Sequence, residues 1–486
     1  MLVERTGSHR LLVGALLAVA ALRLLTIGLY TLADTTEARY AEVARKMVEL
    51  NNWITPWYDY GVPFWAKPPL STWLTAGSFM VLGVNEFAAR LPHFLMACLV
   101  AWLVWDWLRQ RSMREAFLAV IMLAASLLFF VSAGAVMTDM ALALGTTMAL
   151  RGFWLGMWGA PAQRTLESTL AFVGLGVGLL AKGPVALVLT LLPLAGWALL
   201  TRNVGQAWRR LPWYRGSLLT VALALPWYVL ADQATPGFLQ YFLVGEHWQR
   251  FVTPGWAGDR YGNAHQFARG TVWAFMLAAA LPWTVLVPLL RVGRRVADAA
   301  DGTLLPRQLA LYLLAWALAP CLFFTLARNI IWTYVLPALP AAAIASAIWL
   351  HADLRRPLID RWVTGAALAA ALVVSAVLLQ REWSGTWNTG REMVLAYEQQ
   401  HRRDVPLVFV GRRPYSVSFY SSGRAAMVKD WAQLQAARRP VFAAVAAEQL
   451  ERAPALGHQL QGWVLIGIYG RYALLYGPSE ARADPS

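Results

Sequence analysis

The sequence predicts an α-helical polytopic membrane protein that ends in a small α/β domain. Three observations predict it. Hydrophobic residues make up 58% of the 486 and charged residues 14%, where ordinary soluble domains carry about 25% charge; the mean hydropathy is +0.47. The apolar residues gather in runs long enough to span a bilayer. The Lys and Arg residues fall in short loops between alternate runs. Such a composition excludes a soluble enzyme, a disordered chain and a disulfide scaffold.

A transmembrane helix takes roughly 20 apolar residues. The candidate spans are Leu11–Leu32, Leu91–Leu108, Ala116–Val131, Met140–Trp158, Leu166–Leu180, Val185–Leu200, Ser217–Leu230, Gly270–Leu290, Leu311–Leu326, Ile331–Leu350 and Trp362–Leu379. That gives about 11–13 transmembrane helices. The apolar stretch Leu70–Leu82 is too short to span and reads as an amphipathic interfacial helix.

Orientation follows the basic residues. A cytoplasmic N-terminus puts Arg5 and Arg10 inside, together with the loops holding Arg109, Arg111 and Arg114; Arg202, Arg209, Arg210 and Arg215; Arg291, Arg294, Arg295 and Arg307; and Arg355, Arg356 and Arg361. Arg10 precedes an apolar run that continues to Tyr30, longer than a signal-peptide core, so it reads as an uncleaved first helix. Arg23 and Arg151 fall inside spans, and the sequence offers no partner for them.

The expected division is a transmembrane domain over residues 1–380, with outer loops 33–90 and 231–269, and a C-terminal outer domain over 381–486. In that tail, the runs 405–410, 440–443 and 463–468 are β-like, separated by polar helical segments such as Arg391–His401 and Trp431–Arg438. Cys98 and Cys321 lie in separate apolar runs and read as packing residues, without a metal or disulfide pattern. The net charge is +15, but no continuous basic stripe exists. The expected partners are therefore membrane lipids and phosphates, with no nucleic acid.

The first outer loop is dense in polar groups. It contains Glu37-Ala38-Arg39-Tyr40-Ala41-Glu42, then Lys67-Pro68-Pro69, then Asn85-Glu86-Phe87-Ala88-Ala89-Arg90-Leu91-Pro92. Further pieces follow in order: Thr138-Asp139-Met140, Ala181-Lys182-Gly183-Pro184, Glu246-His247-Trp248-Gln249-Arg250-Phe251, Leu281-Pro282-Trp283 and Tyr334-Val335-Leu336-Pro337. All of them fall on the outer side of the topology derived from charge alone.

This order of strings resembles the ArnT-like (aminoarabinose-transferase) periplasmic glycosyltransferases, which are related to the protein O-mannosyltransferases. The resemblance runs from about residue 11 to 345 and implies a C-type glycosyltransferase fold in a bacterial inner membrane. It also implies an inverting transfer from a polyprenyl-phosphate sugar, with undecaprenyl phosphate as carrier, to a periplasmic acceptor such as lipid A or lipopolysaccharide. The implied catalytic acids are Asp34, Glu37 and Asp139. The implied donor-phosphate ligands are Arg39, Lys67, Lys182, His247, Arg250 and Tyr334, because charge builds on the phosphate as the glycosidic bond breaks.

Two departures stand out. Relatives often carry Asp where this chain has Thr36, and aminoarabinose-type members carry a metal-binding Glu where it has Ala66. No cofactor is therefore expected, and a divalent metal is disfavoured. An ionised phosphate acceptor scarcely needs a strong base, so the missing Asp leans toward a phosphate acceptor or a relocated base. Asp34 and Glu37 also have the spacing of a capping box, with Asp34 at the N-cap and Glu37 at N3. Two rival functions stay open: a protein O-mannosyltransferase-like enzyme, and a lipid or ion-coupled transporter. Transporters tend to place ionisable groups at mid-membrane, whereas here they collect at the outer ends.

Overall fold

The computed structural model describes residues 2–262, 265–291, 307–353, 355–400, 405–435, 440–451 and 462–477. Arg294 and Arg295 of the expected basic loop, His401, residues 436–438 of the second polar tail segment and the side chain of Arg5 lie outside the described residues.

Each of the eleven apolar runs is helical, though several are interrupted. The first part comprises α1 (Leu2–Thr26), α2 (Thr36–Glu49), α3 (Leu70–Leu82), α4 (Glu86–Arg109), α5 (Met113–Ala124), α6 (Leu127–Ser132), α7 (Asp139–Trp158), α8 (Pro161–Lys182), α9 (Val185–Leu200), α10 (Val204–Arg210) and α11 (Trp213–Ala234). A hairpin of β1 (Trp57–Asp59) and β2 (Val62–Pro63) lies between α2 and α3. Then α12 (Phe238–Gln240) and α13 (Arg250–Val252) flank a wide π-helical segment, Tyr241–Gln249. The helical part closes with α14 (Thr271–Ala279), α15 (Trp283–Arg291), α16 (Arg307–Thr325), a 3-10 segment Trp332–Ala338 leading into α17 (Leu339–His351), and α18 (Arg356–Trp383).

The protein is a multi-pass membrane protein. Six helical units among the described residues are long and apolar enough to cross on their own: α4, α8, α11, α16, Trp332–His351 and α18. The pair α14 and α15, bent by 72°, makes a seventh. The other expected runs fall outside this measure: some are short or broken, whereas α1 and α7 are continuous helices of 25 and 20 residues. The run 116–131 divides into α5 and α6, and Ser126 Oγ donates to the Met122 carbonyl (2.7 Å) at the break. The run 270–290 breaks before Pro282, which has no N–H to continue a helix. In α3 the polar Ser71, Thr72 and Thr75 are buried while Met80 and Val81 are exposed, the arrangement of a helix whose outer face meets lipid.

Small residues let the helix backbones approach closely. A Cβ on Gly145 of α7 would lie 2.6 Å from the Gly178 nitrogen of α8. The buried cations inside the bundle find polar or acidic partners, as apolar surroundings favour. Arg23 donates to the Tyr30 hydroxyl (3.0 Å) and the Val131 carbonyl (2.9 Å). Arg151 pairs with Glu167 (2.5 Å) and with Asp106. Arg114, expected in a solvated basic loop, is buried and pairs with Asp360 of α18 at 2.6 Å.

After α18 come α19 (Arg391–Gln399), β3 (Leu407–Val410), α20 (Tyr415–Tyr420), β4 (Ala426–Val428), α21 (Trp431–Gln435), β5 (Val441–Ala446), α22 (Ala447–Glu451), β6 (Val464–Tyr469) and β7 (Tyr472–Gly477). The strands form one sheet in the order β4-β3-β5-β7-β6, parallel on the β4-β3-β5 side and antiparallel beyond. β3, β5 and β6 coincide with the three β-like runs, whereas β4 and β7 were not expected. Helix α20 and the turn before it dock onto the first long loop. Arg413 pairs with Asp59 (2.8 Å), and the Tyr420 hydroxyl accepts from the Leu32 amide (2.9 Å) and donates to Glu86 (3.0 Å).

Candidate active site

Local sequence sets each piece of the site. Pro68 and Pro69 keep Lys67 out of a helix, and α3 starts only at Leu70. Gly183, with φ +85°, ends α8 at Lys182; a Cβ there would also meet the Phe242 ring at 2.6 Å and His247 Nε2 at 3.1 Å. Asp139 opens α7, where the helix dipole favours an acid.

These pieces surround one cavity of about 680 Å³. Its polar wall carries Arg39, Lys67, Asp139, Lys182, His247, Arg250 and Tyr334, seven of the nine residues expected from sequence. Its apolar wall includes Val185, Val188, Leu243, Phe251, Phe323 and Phe324.

The cations are largely paired. Lys182 Nζ donates to Asp139 at 2.6 Å and sits 4.5 Å from the centre of the Tyr334 ring. Glu246 is shared: its Oε2 accepts from Lys67 Nζ and Arg250 Nη1, each at 3.1 Å, and its Oε1 accepts from the Tyr241 hydroxyl at 3.1 Å. Arg250 also pairs with Asp259 at 3.1 Å. Burial alone would push the Glu246 carboxyl up, but the Lys67 and Arg250 charges outweigh it and hold the carboxyl below the usual range. Burial would likewise lower Lys67, yet Glu246 holds it above its ordinary value, so both partners stay charged. Burial pushes the His247 imidazole below its ordinary value. Its ring nitrogens are turned to the Phe242 and Lys182 carbonyls, at 2.8 and 3.2 Å.

Residues 8–242 match the family model of dolichyl-phosphate-mannose-protein mannosyltransferases. The backbone superposes on ArnT from Cupriavidus metallidurans bound to undecaprenyl phosphate with a TM-score of 0.81 at 21% identity, covering 96% of this chain and 98% of that one. The chain has the ArnT fold. In sequence it is 30% identical over 379 residues, 75% of its length, to an undecaprenyl phosphate-alpha-4-amino-4-deoxy-L-arabinose arabinosyl transferase of Enterobacter sp.. A transferase of the same name from Erwinia tasmaniensis is 30% identical over 331 residues, 66% of this chain. The chain spans 64% and 56% of the length of these two relatives. The ArnT-like resemblance read from the loop strings thus agrees with both comparisons.

Within this ArnT fold, two of the three expected acids turn away from the cavity. Asp34 accepts from the Ser416 amide (3.1 Å) and from the Ser416 hydroxyl in the C-terminal domain. Burial raises its carboxyl above the ordinary value despite those bonds. Glu37 is gripped by Arg90, whose Nε donates to Oε1 at 2.7 Å and Nη2 to Oε2 at 2.8 Å. The same guanidinium donates to the carbonyls of Ile27, Tyr30 and Thr31. Glu37 thereby fastens α2 to the end of α1 and to α4. The capping box does not form either: α2 starts at Thr36, its N-cap is Thr35, and that residue makes no side-chain cap bond. Asp139 alone of the three lines the cavity.

Ala66 offers a cation no side-chain donor, both His247 nitrogens face carbonyls, and no three His, Cys, Asp or Glu side chains converge among the described residues. The donor set does not suit a divalent metal. Glu246, Asp259 and Arg412 line the cavity as well and were missed from sequence. Glu246 could have been found, since it sits four residues before Arg250 in a quoted string. Asp259 and Arg412 carry no local signal, and only the tertiary fold brings them in.

Proposed function

We propose that the protein is an inverting glycosyltransferase that moves a sugar from undecaprenyl phosphate, or a related polyprenyl phosphate, onto a phosphate of lipid A or another part of the lipopolysaccharide. The observation that carries this reading is the joining, in one cavity, of a cluster of cations with an apolar wall. A prenyl-phosphate donor needs both: an apolar groove for its tail and fixed positive groups for the phosphate that becomes the leaving group. The sequence relatives, named as undecaprenyl-phosphate aminoarabinose transferases, support the same substrate class.

In this mechanism an oxygen of the acceptor attacks the anomeric carbon from the face opposite the donor phosphate. The bond from the anomeric carbon to the donor phosphate oxygen breaks, and its electron pair leaves with the polyprenyl phosphate. Lys67, Arg250 and Lys182 stabilise the charge that builds there, with Tyr334 and His247 packed beside them. Asp139 takes the remaining proton when the acceptor is a monoanionic phosphate. No divalent metal enters the reaction. The cavity faces the periplasm and the N-terminus the cytoplasm, as the distribution of basic loops indicates.

Transfer of radiolabel from undecaprenyl-phosphate sugars to lipid A by the purified protein, and its loss in Lys67→Ala, tests this reading. Saturable movement of the donor across vesicles without any transfer would favour the transporter instead.

A further inference from the structure

The cavity walls hold five cationic side chains, and three of them have carboxylate partners: Lys67 and Arg250 on Glu246, and Lys182 on Asp139. Arg39 and Arg412 make no salt bridge among the described residues, although the Asp34 carboxylate feels the charge of Arg412. Arg39 Nη1 donates to the Tyr261 carbonyl at 2.5 Å, while its Nε is buried without a partner. Arg412 donates to the Tyr415 hydroxyl at 3.4 Å and also interacts with the Tyr58 hydroxyl. The two guanidinium groups come together around one ring: Arg39 Cζ lies 5.8 Å and Arg412 Cζ 6.0 Å from the centre of Tyr415.

They reach this place from opposite ends of the chain. Arg39 rides on α2, and Arg412 on the turn that leads from β3 into α20. The joint between them is built firmly. Arg413, the next residue, is bonded through one guanidinium nitrogen to both oxygens of Asp59, at 3.0 and 2.8 Å. Asp34 holds Ser416, and the hydroxyls of Tyr58 and Tyr415 are in close contact. Two guanidinium groups without salt bridges line the same cavity, the exposed Arg412 is open to an incoming anion, and guanidinium suits phosphate geometry.

We propose that Arg39 and Arg412 form a subsite for an anionic phosphate ester on the acceptor, separate from the Lys67–Arg250–Lys182 cluster that takes the donor phosphate. This rests on the transferase reading for the word acceptor, but the anion subsite itself follows from two guanidinium groups, free of salt bridges, beside one ring at the cavity wall. It gives the C-terminal domain a role that its own sequence does not suggest: it completes the cavity by supplying Arg412.

Binding in detergent without donor, read by tryptophan fluorescence, tests it with diphosphoryl lipid A, dephosphorylated lipid A and undecaprenyl phosphate as probes. The wild type should prefer the diphosphoryl form. Arg412→Ala should weaken that form about tenfold, the loss of one charge-assisted contact, and leave undecaprenyl phosphate and the dephosphorylated form unchanged. Arg412→Lys, which keeps the charge, should restore part of the preference and shows that the fold has survived. Equal weakening of undecaprenyl phosphate, or no change for diphosphoryl lipid A, would overturn the proposal. Wild-type protein that shows Arg412-dependent binding of phosphorylated lipid but no transfer with any donor would sink the transferase reading and leave the anion subsite standing.

Discussion

The carboxylate of Glu246 lies 3.1 Å from both Lys67 Nζ and Arg250 Nη1, so one buried acid occupies the two cations best placed to take a donor phosphate. An incoming phosphate must compete with it. Glu246→Gln keeps the shape and removes the competing charge. It should tighten binding of undecaprenyl phosphate about tenfold, on the scale of one charge-assisted contact, and slow product release. Equilibrium binding of undecaprenyl phosphate to the variant and wild type checks this.

The same pair sets a pH dependence of stability. The folded-state carboxyl of Glu246 is held below its ordinary value, because Lys67 and Arg250 outweigh burial. A lowered carboxyl contributes stability that is present above its unfolded value and is lost as pH falls through the folded one. The thermal unfolding temperature in detergent should therefore fall more steeply in the wild type than in Glu246→Gln as the pH drops below about 4, with parallel behaviour above that value. Equal drops would contradict the ion-pair account.

Glu37 follows the first span closely enough to suggest catalysis, but Arg90 holds both of its oxygens. Arg90→Met leaves Glu37 without its cation and frees three carbonyls, a change on the order of 3–5 kcal/mol for a buried pair. Both Arg90→Met and Glu37→Gln should lower the melting temperature and the yield of folded protein. A Glu37→Gln protein of unchanged stability that has lost all transfer would instead make Glu37 catalytic.

Asp139→Asn separates acceptor types by pH. A phosphate monoester loses its second proton near pH 6, so a base matters less above that value. The turnover deficit of Asp139→Asn should be about 100-fold at pH 6 and shrink markedly at pH 8. A deficit that stays constant across this range would point to a hydroxyl acceptor.

With Ala66 at the position of the family's metal-binding Glu and His247 turned to carbonyls, chelation by EDTA should leave transfer unchanged. Loss of activity on chelation, restored by a divalent ion, would contradict the reading of the donor set.

Much of this was legible in the sequence because hydropathy and charge are read off locally. All eleven apolar runs are helical, and the strings in the outer loops supplied seven of the cavity residues. What was not legible depends on direction and distance. Proximity to the first span does not say which way Asp34 and Glu37 face; that is decided by Ser416 and by Arg90, 382 and 53 residues further on. Val131, which accepts from Arg23, and the two acids that hold Arg151 sit on other helices. Arg412 is an ordinary basic residue in a polar turn until α20 docks on the first loop. Strand β4 is three residues long, too short to carry an alternation pattern.

The most direct test of the central claim is a transfer assay with purified protein in vesicles, supplied with radiolabelled undecaprenyl-phosphate sugars and lipid A. The account predicts a glycosylated lipid with inverted anomeric configuration, lost in Lys67→Ala and retained in an exposed-site control such as Trp383→Ala. Transfer undiminished in Lys67→Ala, or movement of the donor across the bilayer with no glycosylated product, would contradict it.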